Sequence, residues 1–190
     1  MKDKIISELE ESARIKKDMA VNLADSIAEA SQKVINAYKA GGKVLLVGNG
    51  GSAADAQHIA CELVGRLKLD RAALPAIALT TDTSILTAVA NDYGYESVFS
   101  RQLEAIANKK DVLIAITTSG ASPNVLKAAD TARSRGITVI ALTGKNDNEL
   151  ENRADLTIAI PSDNTQRIQE AHITIGHIIC HLVEKELFDK

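Results

Sequence analysis

The sequence contains few of the residues on which several protein classes depend. Of its 190 residues only 3% are aromatic, none is Trp, and the formal net charge is -3. Without stacking rings or excess positive charge, a nucleic-acid-binding surface is not expected. The only two cysteines, Cys61 and Cys180, are too few for a disulfide framework, and we expect both to be buried, reduced thiols.

Long hydrophobic runs are also missing. The longest uncharged stretch begins at Val112 and becomes polar after Ile116, so it is too short to span a bilayer. The first residues, MKDKIISELEE, contain no apolar segment of the signal-peptide type. We therefore expect a cytoplasmic protein without membrane contact, and its 45% of hydrophobic residues is enough for a packed core.

Hydrophobic periodicity divides the chain into a helical start and an alternating remainder. Apolar residues recur every three or four positions over 3–39 and stop at Gly41-Gly42, which predicts one long N-terminal helix. The apolar surface of this helix is wider than one stripe, which favours self-association. Beyond it, short apolar runs predict five buried strands, at about 43–48, 75–80, 112–116, 137–142 and 156–161.

Helical patterns fill the intervals between these strands. They cover about 52–66, 83–107 with a break at 92–94, 123–135, 147–152 and 165–186. Strands that alternate with helices predict an α/β fold with a doubly wound, five-stranded parallel sheet of flavodoxin-like type. We expect a single domain over 1–190, made of a helical extension at 1–40 and an α/β core at 41–190.

A glycine-rich loop follows the first predicted strand. The segment from Gly48 to Ala53, GNGGSA, opens a helix, where backbone N–H groups and the helix dipole attract anions. The same residues fit a dinucleotide-binding fingerprint, but no acidic residue ends the second strand at the required spacing of roughly 20 residues. A tight turn without any ligand is the third interpretation.

A second polar loop follows the third predicted strand. Ser122 suits an N-cap and Pro123 suits the first helical position. Thr117, Thr118 and Ser119 add hydroxyls that capping alone does not require. Hydroxyl donors at a helix N-terminus bind a phosphate monoester. Because no Walker lysine follows, the loop predicts phosphate binding rather than nucleotide hydrolysis.

Acid–base and metal candidates lie in two predicted helices. His58 and Glu62 are one turn apart, a spacing that many solvated pairs share. In the last helix, His177 and His181 have the spacing of a metal-binding pair. A histidine on an apolar helix face can equally be a core residue, and spacing alone does not connect the two helices.

Longer motifs carry a family resemblance. The motifs are GNGGSAADAQH at 48–58, ELVGR at 62–66, ANDYG at 90–94, TSG at 118–120 and RIQE at 167–170. Together they resemble the sugar isomerase (SIS) family and, more narrowly, its sedoheptulose 7-phosphate isomerases, over essentially the whole chain. Ala121 and Gln166 depart from the usual family pattern, which leaves the reaction class unchanged but bears on substrate preference.

The resemblance implies an activity. Members of this family convert D-sedoheptulose 7-phosphate to D-glycero-D-manno-heptose 7-phosphate, the first step of bacterial ADP/GDP-heptose precursor synthesis for lipopolysaccharide and related glycans. It also implies a cytoplasmic homotetramer with one Zn²⁺ per subunit. Non-catalytic SIS relatives bind a replication initiator or sense sugar phosphates. The relative that binds a replication initiator lacks counterparts of Glu62 and His177, and the sugar-phosphate sensors usually carry a DNA-binding domain. The isomerase is therefore favoured.

The resemblance further implies the site residues. Glu62 and His177 would transfer protons, and the Zn²⁺ ligands would be His58, Glu62, Gln169 and His177. The implied substrate-binding residues are Asn49, Gly50, Gly51, Ser52, Glu62, Asn91, Asp92, Thr117, Thr118, Ser119, Ser122 and Gln169. Gln169 and His177 are eight residues apart, about 12 Å along a helix, so both reach one ion only if their side chains lean together. The His177–His181 pair is the alternative.

Overall fold

Helices and strands alternate along most of the computed structural model, which describes residues 1–145 and 149–189. The helices are α1 (Lys2–Asn22), α2 (Ala24–Lys39), α3 (Gly51–Val64), α4 (Thr83–Tyr93), α5 (Ser100–Ile106), α6 (Pro123–Ser134) and α7 (Thr165–Phe188). The strands are β1 (Val44–Gly48), β2 (Ala76–Ala78), β3 (Val112–Ile116), β4 (Thr138–Gly144) and β5 (Leu156–Ile160). Single 3₁₀ turns lie at Tyr95–Ser97 and Glu151–Arg153.

The five strands form one parallel sheet in the order β2-β1-β3-β4-β5. The predicted doubly wound, five-stranded parallel sheet is therefore confirmed. The order reverses between β1 and β3, where Gly48 is in register with Ile116. The loops that follow these two strands consequently leave the sheet side by side, at the position where α/β sheets bind ligands.

Helices cover both faces of the sheet. In β1, Val44 and Leu46 pack with α2, α3 and α7, whereas Leu45 and Val47 pack with α5 and α6. Burial on both faces explains why this strand is a continuous apolar run without polar alternation. The short edge strand β2 is different, because Ile77 is 40% exposed.

The N-terminal segment is not the single long helix that its periodicity predicts. Two helices, α1 and α2, meet at Leu23, whose φ of -119° and ψ of 0° interrupt the regular helix. Both helices contact α7, and the bend allows each to pack on it. Neither Gly nor Pro lies near Leu23, so the apolar pattern runs through the break without a local signal.

The helix predicted at 147–152 lies partly outside the described residues, and the described part contains the 3₁₀ turn at Glu151–Arg153. Cys61 and Cys180 are both free, but Cys61 is exposed, so the expectation of two buried thiols is wrong for this residue. None of the described helices has the length and apolar character needed to cross a membrane.

Candidate active site

Helices α3 and α7 bring three potential metal ligands together. His58 Nε2 lies 3.2 Å from Glu62 Oε1 on the same helix. Across the helix interface it lies 3.0 Å from Nε2 of His177. One ligand atom of each side chain lies within 4.8 Å of the other two. The fold therefore places His177 of α7 beside His58 and Glu62 of α3, a contact that residue spacing alone does not predict.

This donor set suits a divalent transition metal. Two imidazole nitrogens and a carboxylate oxygen are the protein ligands of many catalytic Zn²⁺ sites, in which a further position stays open. The side chains of His58 and Glu62 are 50% and 20% exposed. The group therefore has an accessible side from which a substrate could approach.

A glycine permits the close approach of the two helices. A Cβ at Gly176 would lie 2.6 Å from both Cδ1 and Cγ1 of Ile59. Because Gly176 precedes His177 and Ile59 follows His58, this contact brings the two histidines together. Cys180 packs at the same crossing, with its Sγ 4.0 Å from the Ile59 carbonyl oxygen. Burial raises the pKa of Cys180 to about 12, so it is a neutral thiol of the core.

The other polar residues of α7 lie in different surroundings. Gln169 lies near the start of α3, where its amide fills the space that a Cβ on Gly51 would occupy. His181 has its Nε2 3.5 Å from Lys68 Nζ and, among the described residues, is not part of the metal-ligand group. His172 is fully buried with Nε2 3.2 Å from the Thr143 carbonyl oxygen. Burial lowers the pKa of His172 to about 4, which makes it a neutral core residue.

The hydroxyl-rich loop after β3 is arranged around Thr117. Its Oγ1 lies 3.2 Å from Ser122 Oγ and 3.4 Å from Ser119 Oγ. Ser122 and Pro123 occupy the predicted N-cap and first helical positions of α6, but the Ser122 side chain makes no capping hydrogen bond. The hydroxyls and the uncapped N-terminus of α6 therefore share one loop, an arrangement suited to an anion such as a phosphate.

A reciprocal amide pair joins this loop to the glycine-rich loop after β1. Asn49 Nδ2 donates to Asn124 Oδ1, and Asn124 Nδ2 donates to Asn49 Oδ1, each at 2.8 Å. The Tyr95 hydroxyl adds a longer contact of 3.4 Å to Asn49 Oδ1. The Asn49 carbonyl oxygen is engaged as well, because it accepts from the N–H groups of Ser52 and Ala53 at the start of α3. The neighbouring Gly50, with φ of +55°, turns the chain there.

The other predicted substrate residues are Ser52, in α3, and Asn91 and Asp92, in α4. Ser52 is buried in the first turn of α3, close beneath Gly48. Asn91 Nδ2 donates to Asp92 Oδ1 at 2.7 Å, and both residues are exposed near the end of α4. The chain then reaches Tyr95, which contacts Asn49.

Sequence reasoning gave no role to Asp55, which the structure places beside the metal-ligand group. Its Oδ2 is buried and, in the part of the chain that is described, has no hydrogen-bond partner. Burial raises the pKa of Asp55 to about 6, against an opposing effect of His58. The available signal was its position three residues before His58, on the same side of α3. Asn124 was missed as well, because its partner is distant in the sequence.

Comparison with known proteins points to one family. A sequence model of the SIS domain matches residues 9–144. A phosphoheptose isomerase of Citrifermentans bemidjiense is 58% identical over 168 residues, 88% of each chain. One of Aquifex aeolicus is 52% identical over 190 residues, 100% of both chains. The solved structure of a phosphoheptose isomerase from Francisella tularensis has 41% identity and a TM-score of 0.93, and the match covers 96% of this chain and 97% of that one.

Proposed function

The chain belongs to the phosphoheptose isomerase family of SIS domain proteins, and on this premise we propose that it converts D-sedoheptulose 7-phosphate to D-glycero-D-manno-heptose 7-phosphate. The observation that carries the proposal is the meeting of Glu62 and His177 between α3 and α7. Aldose–ketose isomerisation moves a proton between adjacent carbons and needs a base and an acid in one pocket. A carboxylate and an imidazole are suited to these roles near neutral pH.

The phosphate end of the substrate binds at the switch point of the sheet. The hydroxyls of Thr117, Thr118, Ser119 and Ser122 donate to it, together with the N-terminus of α6. The backbone of Asn49, Gly50 and Gly51 approaches from the start of α3. Ser52, Asn91, Asp92 and Gln169 complete the substrate-binding set. The Asn49–Asn124 pair supports this assignment because it holds the two loops together.

Glu62 and His177 perform the proton transfers. Glu62 removes a proton from C1 of the ketose while His177 protonates the C2 carbonyl oxygen, which gives a 1,2-enediol. Glu62 then returns its proton to C2, and His177 takes the proton from the C1 hydroxyl to leave the aldehyde. Both residues end in the protonation state in which they began, as a catalyst requires.

We infer that Zn²⁺ is the metal, held by His58, Glu62 and His177. Gln169 is proposed as the fourth ligand, and its amide, which lies beside Gly51 at the start of α3, would have to turn toward this group to reach the ion. When bound, the ion supplies Lewis-acid polarisation of the substrate carbonyl. Because a carboxylate has two oxygens, Glu62 could hold the ion with one of them and accept the proton with the other. Two imidazoles and one carboxylate within 4.8 Å of one another support this choice of ion.

We further propose that the enzyme is a homotetramer with active sites near subunit interfaces. The surface of α1 exposes large apolar side chains, among them Leu9 at 67% and Val21 at 81%. Residues of α1, α2 and α7 line an apolar groove of about 350 Å³, and Ile178 and Leu182 form its α7 wall. Ile178 follows His177, so a second copy on this groove would lie beside the proposed catalytic residue.

A non-catalytic SIS protein is not favoured as the alternative, because the metal-ligand group contains both proposed catalytic residues. The test is to incubate the purified protein with sedoheptulose 7-phosphate, with and without a chelator, and to follow the aldose by NMR. We expect conversion that the chelator abolishes. Absence of conversion by protein loaded with Zn²⁺ would refute the proposal.

A further inference from the structure

A buried carboxylate on α7 binds the loop that follows α3. The Glu184 side chain is only 1% exposed. It accepts hydrogen bonds from the backbone N–H groups of Leu67, Lys68 and Leu69 at 3.1, 2.8 and 2.7 Å. Arg71 Nε donates a fourth bond at 2.9 Å. Burial raises the pKa of Glu184, but these donors outweigh it and lower the pKa to about 2, so the group is ionised.

The partner arginine caps the helix that carries the proposed base. Arg71 Nη2 donates to the backbone carbonyl of Glu62 at 2.9 Å, and Nη1 donates to that of Leu63 at 3.0 Å. Carbonyls in the last turn of a helix lack helical partners, and α3 ends at Val64. One guanidinium therefore holds the Glu184 carboxylate and closes the last turn of α3.

The ion pair joins the two halves of the metal-ligand group. Glu184 follows His177 by seven residues, which is two helical turns and hence the same face of α7. The Arg71 guanidinium of the pair donates to the backbone carbonyl of Glu62. The turn that carries Glu62 is thus bonded to the helix that carries His177.

Packing α3 against α7 does not by itself require a buried ion pair. Desolvation offsets most of the attraction between buried charges, and apolar side chains of similar volume often stabilise a helix interface equally well. Directional bonds to two carbonyls and three N–H groups do something that apolar contacts cannot. They fix the position of the end of α3 along α7.

We propose that Arg71 and Glu184 are positioning residues that hold the last turn of α3 against α7, so that the Glu62 carboxylate stays within reach of His177 and of a bound cation. They act through the backbone of Glu62. The catalytic consequence rests on the proposed function, whereas the structural consequence does not.

The variants are Arg71→Met, Glu184→Gln and the conservative Arg71→Lys, which keeps a charge for Glu184 but cannot bond both carbonyls. Asp111→Asn is the matched control. The Asp111 side chain is fully buried, pairs with Lys43 Nζ at 2.7 Å and accepts the N–H groups of Lys43 and Asn108. It lies in the loop just before β3, away from the interface of α3 and α7.

Three measurements separate positioning from stability. The first is the affinity of metal-free protein for Co²⁺, with the visible absorption of the complex. The second is hydrogen exchange at the backbone amides of residues 62–65. The third is a comparison of the changes in kcat and in KM. Arg71→Met and Glu184→Gln should bind Co²⁺ roughly 10- to 100-fold more weakly and exchange faster at these amides. In both variants the fall in kcat should be larger than the change in KM. Arg71→Lys should recover part of the loss. Asp111→Asn should lower the melting temperature and leave Co²⁺ affinity and this exchange unchanged.

The proposal would be overturned if folded Glu184→Gln and Arg71→Lys proteins bound Co²⁺ with wild-type affinity and exchanged the amides of residues 62–65 at the wild-type rate. An equal loss in Asp111→Asn would also overturn it, because the effect would then follow stability alone. Failure of the proposed function looks different: wild-type protein would not convert the sugar phosphate, while the exchange comparison would still report on the last turn of α3.

Discussion

Nε2 of His58 and Nε2 of His177 lie 3.0 Å apart, although 119 positions separate the two residues in the sequence. Their rings meet edge to face, with centroids 5.0 Å apart and an interplanar angle of 69°. One ring belongs to the first helix of the α/β core and the other to the last helix of the chain. The proposed chemistry therefore depends on how α3 and α7 pack.

Replacement of Glu62 by Gln removes the proposed base and keeps the size of the side chain. We expect kcat to fall by about 10²- to 10⁴-fold, the usual contribution of a general base, with the circular dichroism spectrum unchanged. Cys61→Ser, at the neighbouring exposed position, is the control and should keep the wild-type rate. A Glu62→Gln enzyme that turns over at the wild-type rate would exclude Glu62 as the base.

Removal of the metal should abolish activity, and addition of Zn²⁺ should restore it. His58→Gln should reduce the zinc content measured by mass spectrometry of the dialysed protein, because it deletes one ligand of the group. His181→Gln should retain its zinc, since the ring of His181 lies beside Lys68. The opposite result, with zinc lost in His181→Gln and kept in His58→Gln, would favour the His177–His181 pair instead.

Gly176→Ala should separate the two helices of the site. The new Cβ would lie 2.6 Å from two carbon atoms of Ile59, so overpacking should lower the free energy of unfolding in urea by about 1–3 kcal/mol and weaken metal binding. Ile59→Val in the same protein removes Cδ1 and should restore part of both losses, a coupling expected for residues in contact. If the effects of the two substitutions on unfolding free energy and metal affinity simply add, the contact between Gly176 and Ile59 does not set the helix separation.

Asn124→Ala tests whether the reciprocal amide pair organises the phosphate site. It leaves the partly buried Asn49 amide without its partner, so we expect a higher KM, a nearly unchanged kcat and a stability loss of about 1–3 kcal/mol. Ser134→Ala, at the far end of α6, is the control for steady-state kinetics. An unchanged KM in Asn124→Ala would mean that the loops are held in place without the pair.

The buried, neutral His172 should make stability depend on pH. Its pKa is about 4 in the folded protein and 6.5 when unperturbed, so the unfolded chain binds more protons between these values. Stability should therefore fall as the pH drops from about 6.5 to about 4, by up to about 3 kcal/mol from this residue. Urea unfolding of wild type and His172→Gln across this range measures the difference, and identical pH profiles of the two proteins would contradict it.

The strands were predictable because a strand that is buried on both faces is a continuous run of apolar residues in the sequence. Leu45 and Val47 face one set of helices and Val44 and Leu46 the other, so β1 had to be apolar at every position. The bend at Leu23 had no such signal, since the apolar pattern needed to cover α7 is the same on both sides of it. Local periodicity reports which faces are buried and does not report how two successive helices are oriented.

The site was predictable only where residues are close in sequence or belong to a recognised motif. The spacing of His58 and Glu62 placed them on one face of α3, but only the family resemblance linked them to His177. Asn124 and Glu184 were missed because their partners are 75 to 117 positions away, and Arg71 was missed because its ion-pair partner is 113 positions away. Such pairings are set by the packing of α3 and α7 and by the register of β1 with β3, which no local pattern encodes.

The most direct test is partial conversion of sedoheptulose 7-phosphate in D₂O, with the product analysed by NMR. If Glu62 carries the proton from C1 to C2, its acidic proton exchanges with solvent, and we expect deuterium at C2 of the aldose. Glu62→Gln protein should give neither product nor deuterated substrate. Product that carries only protium at C2 would show that the transferred hydrogen never exchanges with solvent, and it would contradict the role assigned to the solvent-accessible Glu62 carboxyl group.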